Sequence, residues 1–161
     1  MIFLIVGPSG SGKDTLIDYA VNKLPVKKAK RVITRENNQY EDFKSVSDDE
    51  FNQQQFFIKW ESYGRKYGIP PLSDDHYLLN VSRQVINQVK ALKPDTKVIE
   101  LTTKPEVLAK RVNKRDRDTI KEKKERLKRA VNINSDFKID TSSSDVSVAG
   151  EELINYLKKF I

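Results

Sequence analysis

Gly7, four intervening residues, Gly12 and Lys13 follow directly on the apolar run Ile2-Phe3-Leu4-Ile5-Val6, and this spacing constrains the chain more than any other feature. Glycines at 7, 10 and 12 let backbone N–H groups turn inward around a phosphate chain. The lysine then reaches the terminal phosphates, and the helix that follows aims its positive end at them. Gly7, Pro8, Ser9, Gly10, Ser11, Gly12, Lys13, Asp14 and Thr15 are therefore expected to cradle a nucleoside triphosphate.

The usual pattern places a Ser or Thr hydroxyl for Mg²⁺ immediately after the lysine. Here that position is Asp14, and the hydroxyl comes one step later as Thr15. An unpaired carboxylate beside phosphates would repel them. Asp14 therefore either faces Mg²⁺, directly or through water, or caps the N-terminus of the following helix, where a carboxylate is also favourable. Asp14 and Thr15 are the candidate metal ligands.

A chain of 161 residues suits one domain with a real core. It contains no cysteine, which excludes disulfides and thiolate metal sites. No charged-then-apolar leader precedes the first strand, and the longest apolar run is too short to span a bilayer, so a cytoplasmic location without membrane contact is expected. The formal charge of +7, from 30 Lys and Arg against 23 Asp and Glu, is concentrated between residues 104 and 129. A polyphosphate substrate needs that sign of field as much as a nucleic acid does. The stretch holds no aromatic residue for base stacking, which argues against nucleic acid as the partner.

Hydrophobic periodicity organises the rest. Residues 2–6 read as a buried strand, and 15–23 as a helix with Leu16, Tyr19, Ala20 and Leu24 on one face and Pro25 beyond its end. Extended segments follow at 30–34 and 43–46. Ser47 with Glu50 three residues later marks a helix start. Residues 56–60 read as a strand, with a turn at Gly64. Strands at 77–81, 97–101 and 137–139 alternate with helices at 82–92, 104–114, 119–133 and 149–160. Such alternation implies an α/β fold: a mainly parallel sheet flanked by helices, with ligands at the carboxyl ends of its strands.

In this order the motifs resemble those of the nucleoside monophosphate kinases, above all the guanylate-kinase-like group of P-loop kinases. The resemblance covers nearly the whole chain: the phosphate loop, Ile33-Thr34-Arg35, Ser47 to Phe51, Phe57 to Trp60, Lys66-Tyr67-Gly68, and the arginines Arg111, Arg115 and Arg126. It implies one kinase domain over residues 1–161. The core would be about 1–30, 76–112 and 134–161, the acceptor-binding part about 31–70, and a short lid about 113–120.

The guanine-reading residues of that group are missing. Lys59 stands at the position of their glutamate, Ile69 replaces a hydroxyl residue, and Asn80-Val81-Ser82-Arg83 stands where they carry aspartates. A lysine cannot accept the bonds that a guanine ring donates, and each buried mismatch costs about 1–3 kcal/mol. In these departures the chain resembles the ribose 1,5-bisphosphate phosphokinases of phosphonate catabolism, through Lys13-Asp14-Thr15, Arg31 with Ile33-Thr34-Arg35, Asn80, Ser82 and Arg83, and the run Glu125 to Ala130. The segment between Gly68 and Tyr77 is shorter than in that family and carries Pro70-Pro71.

This second resemblance implies ATP-dependent, Mg²⁺-assisted phosphoryl transfer to the 1-phosphate of ribose 1,5-bisphosphate, giving 5-phosphoribosyl diphosphate and ADP. Lys13, Arg111 and Arg115 would be the catalytic residues, and Arg31, Arg35, Lys59, Tyr67, Asn80, Arg83 and Arg126 would bind the acceptor, a phosphorylated small molecule. The alternatives are a guanylate or other nucleoside monophosphate kinase, and a non-catalytic binding module of the same fold. A monomer or homodimer is expected. His76, the sole histidine, reads as a surface residue, and Trp60 as core.

Overall fold

The computed structural model describes residues 1–37, 41–115 and 133–161, with the backbone alone at 113–115. In chain order the elements are β1 (Ile2–Val6), α1 (Lys13–Val21), β2 (Lys27–Lys28), β3 (Arg31–Ile33), β4 (Phe43–Ser45), α2 (Asp48–Asn52), β5 (Ile58–Ser62), β6 (Arg65–Ile69) and β7 (Tyr77–Asn80). A 3₁₀ turn, Arg83–Val85, then leads into α3 (Ile86–Leu92), β8 (Lys97–Thr102), α4 (Pro105–Arg115), β9 (Phe137–Asp140) and α5 (Val146–Leu157).

The central sheet has the order β2-β7-β1-β8-β9, and every pairing in it is parallel. All five residues of β1 are buried because helices or strands cover both faces of the sheet. Phe3 and Ile5 join the core beneath α1 and α5, while Leu4 and Val6 point to the opposite core. Each such aliphatic side chain contributes about 1.5–3 kcal/mol through burial.

Residues 31–69 build a second sheet, ordered β4-β3-β6-β5, which shares the core of Leu4, Val6 and Val98 through Ile33, Ile58, Trp60 and Ile69. The hairpin joining β5 to β6 turns at Tyr63 (φ +52°) and Gly64 (φ +72°), two successive left-handed residues, which matches the twist of the flanking strands. Ser47 caps α2 by accepting a hydrogen bond from the Glu50 N–H at 3.1 Å.

Boundaries moved by a few residues. The first helix begins at Lys13, two residues earlier than its apolar pattern, and ends at Asn22, whose N–H already bonds to Asp18 and Ala20 carbonyls before Pro25 is reached. The last helix begins at Val146 because the Asp145 carboxylate accepts from the Ser147 N–H. The 82–92 helix opens as 3₁₀, and residues 70–76 carry no helix. The helix expected at 119–133 and most of the lid lie outside the described residues.

Candidate functional site

A cavity of about 250 Å³ opens at the carboxyl ends of β1, β7 and β8. One wall is the phosphate loop with Lys13, Asp14 and Thr15. The facing wall comes from the second sheet: Arg31, Arg35, Glu41, Trp60, Ser62 and Tyr67. Asn80, Ser82 and Arg83 enter from the end of β7, and Glu100, Thr102 and Thr103 from the end of β8.

Gly10 sits at φ +88°, and a Cβ there would lie 3.1 Å from Val112 and 3.3 Å from Leu108 on α4, so the loop needs glycine for both backbone and space. Lys13 Nζ donates to the carbonyls of Gly7 (2.9 Å) and Pro8 (3.1 Å), which holds the ammonium over the loop's mouth. Ser11 is fully buried and, unlike Gly10 and Gly12 beside it, does not line the cavity.

Asp14 does not cap α1: the cap position is Gly12, with no side-chain hydrogen bond. Its carboxylate reaches across the cavity instead, accepting from Asn80 Nδ2 at 2.8 Å and from the Asp42 N–H at 3.3 Å, with the Arg31 guanidinium 3.7 Å away. Asp42 follows Glu41 at the start of β4, so Asp14 ties the nucleotide loop to the second sheet. The hydrogen bond from Lys28, then the Lys30 charge, hold the Asp42 carboxyl below the usual carboxylate range.

Strand alternation explains which acceptor candidates converge. Arg31, Ile33 and Arg35 fall on one side of β3 and its extension, which brings both arginines to the cavity edge, where their side chains are each 9% exposed. Glu41, 10% exposed, lies against both guanidinium groups, and Arg35 also stacks over the Phe43 ring at 4.9 Å. Tyr67 pairs with Trp60 across the β5–β6 ladder, the rings stacked at 5.4 Å and 9°. Asn80 and Arg83 also line the cavity.

Lys59 requires correction. On β5 the residues facing the cavity are Trp60 and Ser62, so the two-residue period turns Lys59 to the exposed outer face, outside the cavity lining. Arg111 is likewise not at the cavity. Its guanidinium donates to the carbonyls of Gly10 (3.2 Å), Thr141 (2.8 Å) and Ser143 (3.4 Å), fastening the phosphate loop to the segment after β9. Only the backbone of Arg115 is described, at the end of α4, and Arg126 lies outside the described residues.

Sequence reasoning missed Glu41 and Glu100; Trp60, read as core and buried as such, also lines the cavity. Glu100 was detectable in principle: it is the one charged residue inside the buried run of β8, and it accepts from Ser135 Oγ at 3.1 Å. Glu41 carried no signal, because it comes from an irregular polar stretch.

The cavity can bind two anions side by side. Its loop wall suits a polyphosphate, its two arginines suit a second phosphate, and a carboxylate with a threonine hydroxyl, Asp14 and Thr15, offers the hard oxygen donors that Mg²⁺ prefers. Among the described residues no helix is long and apolar enough to cross a membrane.

No protein-family model matches the chain. It is 33% identical to the ribose 1,5-bisphosphate phosphokinase PhnN of Agrobacterium fabrum, over 98% of this chain and 96% of that protein. It is 34% identical to the enzyme of the same name from Rhizobium etli, over 98% and 89%. With that of Acidiphilium cryptum it shares 37% over 80% and 76%. Among solved structures, guanylate kinase from Anaplasma phagocytophilum superposes with a TM-score of 0.72 at 20% identity, covering 99% of this chain and 85% of that one. A gluconokinase from Sinorhizobium meliloti gives 0.56 at 13% identity, over 98% and 91%. The fold is thus the guanylate-kinase-like P-loop fold.

Proposed function

The chain belongs to the ribose 1,5-bisphosphate phosphokinase family, and on that footing we propose that it transfers the γ-phosphoryl group of ATP to the 1-phosphate of ribose 1,5-bisphosphate. An oxygen of the acceptor phosphate forms the new bond to the γ-phosphorus as the bond to the β,γ-bridging oxygen breaks. The products are 5-phosphoribosyl diphosphate and ADP. A phosphate oxygen needs no general base at neutral pH, so the protein's work is to bring two anions together and to spread positive charge over the moving group.

Lys13 and the loop N–H groups hold the triphosphate. Arg31 and Arg35 hold a phosphate of the acceptor, Tyr67 with Trp60 forms the wall against which the sugar lies, and Asn80 and Arg83 close the far side. Asp14 and Thr15 would hold Mg²⁺, which when bound neutralises the triphosphate. Arg115 would help to neutralise the transferred group, and Arg126 would contribute to binding the acceptor. Arg111 acts by fixing Gly10, and thereby the loop's shape, in place of a direct contact with the transferred group.

The observation that carries the reading is the facing wall itself. Two arginines, an aromatic pair and the amide of Asn80 occupy it, and Lys59, at the position where guanylate kinases read the base, points outward. A compact, doubly phosphorylated sugar matches this set better than a purine. A coupled ADP-release assay tests it: turnover is expected with ribose 1,5-bisphosphate and not with GMP, and equal or better turnover of GMP would reverse the assignment.

A further inference from the structure

Four charges alternate from the nucleotide wall to the acceptor wall. Asp14 lies in the first turn of α1. Arg31 Nη2 is 3.7 Å from its Oδ2 and 3.3 Å from Glu41 Oε2, and that same Glu41 oxygen is in contact with Arg35. The side chains of Arg31, Glu41 and Arg35 are each 10% exposed or less, so water screens the chain weakly.

Glu41 is unexpected in a cradle for anions, since a carboxylate there repels the acceptor phosphate. Its geometry supplies a reason for its presence. It contacts one terminal nitrogen on each guanidinium, which fixes the spacing of the two arginines. It also links Asp14 to Arg35 through Arg31. Whatever draws on Asp14 when the phosphate loop fills changes Arg31's share of the Glu41 carboxylate, and so changes Arg35.

We propose that Glu41 is a positioning residue that holds Arg31 and Arg35 as a matched pair and, through Arg31 and Asp14, makes acceptor binding tighter when the magnesium–nucleotide complex is bound. Coupling of this kind is reciprocal: the acceptor tightens the nucleotide by the same factor. The proposal rests on the function given above for the identity of the acceptor, but not for the coupling itself.

The test is calorimetric titration of ribose 1,5-bisphosphate into the full chain, with and without an unreactive Mg²⁺–ATP analogue. In the wild type the acceptor Kd should fall when the analogue is present. Glu41→Gln, nearly isosteric and uncharged, should weaken acceptor binding by about tenfold or more, since two charge-assisted hydrogen bonds lose their acceptor charge. The ratio of the two Kd values should fall to about one, and the analogue's own Kd in the absence of acceptor should stay within about twofold. In turnover, the acceptor KM should rise while kcat changes little, and Glu41→Asp should restore part of the loss. Glu41→Asp, which keeps the charge on a shorter stem, serves if Glu41→Gln does not fold: it should show a ratio between those of the wild type and one.

Tighter acceptor binding by Glu41→Gln would show that the carboxylate only competes with the acceptor, and an unchanged ratio in the variants would show that the chain of charges transmits nothing. Either result overturns the proposal. Should wild-type protein ignore ribose 1,5-bisphosphate but bind GMP, the assigned acceptor is wrong. The same titrations run with GMP would then still decide the role of Glu41.

Discussion

Replacing Arg111 by methionine separates two roles that its position allows. Its motif makes it a lid arginine that neutralises the moving phosphoryl group, whereas its guanidinium spends its donors on three main-chain carbonyls, of Gly10, Thr141 and Ser143. Methionine keeps most of the apolar stem that packs along α4 and removes only the charged head. A hydrogen bond from a charged donor contributes about 1.5–3 kcal/mol, and two of the three distances, 2.8 and 3.2 Å, are in the normal range. The site is half-buried, so water re-solvates part of what is lost, leaving a net destabilisation of about 1–3 kcal/mol. In a domain of this size each kcal/mol lowers Tm by about 2–4 °C, which puts the shift at about 2–12 °C. The assay is thermal unfolding with and without nucleotide, paired with steady-state kinetics. A loop fastener predicts a lower Tm, a higher nucleotide KM and a kcat retained at saturation. Unchanged Tm and nucleotide affinity with kcat down by about 10³, the scale of a charge-neutralising arginine, would refute the argument.

Lys59→Ala should leave the acceptor KM unchanged, because the side chain is on the outer face of β5. Trp60→Leu removes a stacked ring worth about 0.5–1.5 kcal/mol and should raise the acceptor KM about two- to twelvefold in the same assay if the sugar lies against it. Asp42 is held below the normal carboxylate range, first by its hydrogen bond from Lys28, so its stabilising contribution is complete above about pH 4 and disappears as pH falls through its lowered value. The stability difference between wild type and Asp42→Asn, followed by denaturant titration, should therefore be present at pH 7 and shrink as the pH falls below the ordinary carboxylate range. Chelating divalent cations should abolish turnover in the steady-state assay, because Asp14 and Thr15 would hold Mg²⁺ beside the triphosphate.

How much of this was legible in the sequence follows from how local each signal is. The strand and loop from Ile2 to Lys13 are written in consecutive residues, apolar run then glycines then lysine, and they fold as the pattern demands. Ser47 and Glu50 specify their cap within four positions. Arg31 and Arg35 were accessible through the family resemblance, and their spacing of four along an extended strand accounts for their convergence at the cavity. Lys59 was placed at the site through the family resemblance, whereas the period of β5 puts Ile58, Trp60 and Ser62 on the inner face and Lys59 with Glu61 outside; Trp60 is core, as read, and lines the cavity as well. Asp14 had a position but no partner until β7 and β4 were brought beside it: its bonds to Asn80 and to the Asp42 N–H span 66 and 28 residues. The contacts of Arg111 were beyond local reading too, since its carbonyl acceptors lie 101, 30 and 32 residues away and carry no side-chain signature.

The central claim is that the cavity transfers phosphate from ATP to a sugar bisphosphate. The most direct measurement is phosphorus NMR of the enzyme incubated with Mg²⁺, ATP and ribose 1,5-bisphosphate. The account predicts that the 1-phosphate resonance gives way to a coupled diphosphate pair on the sugar, with one ADP formed for each. Growth of free inorganic phosphate alone, or consumption of added GMP to GDP in preference to the sugar, would contradict it.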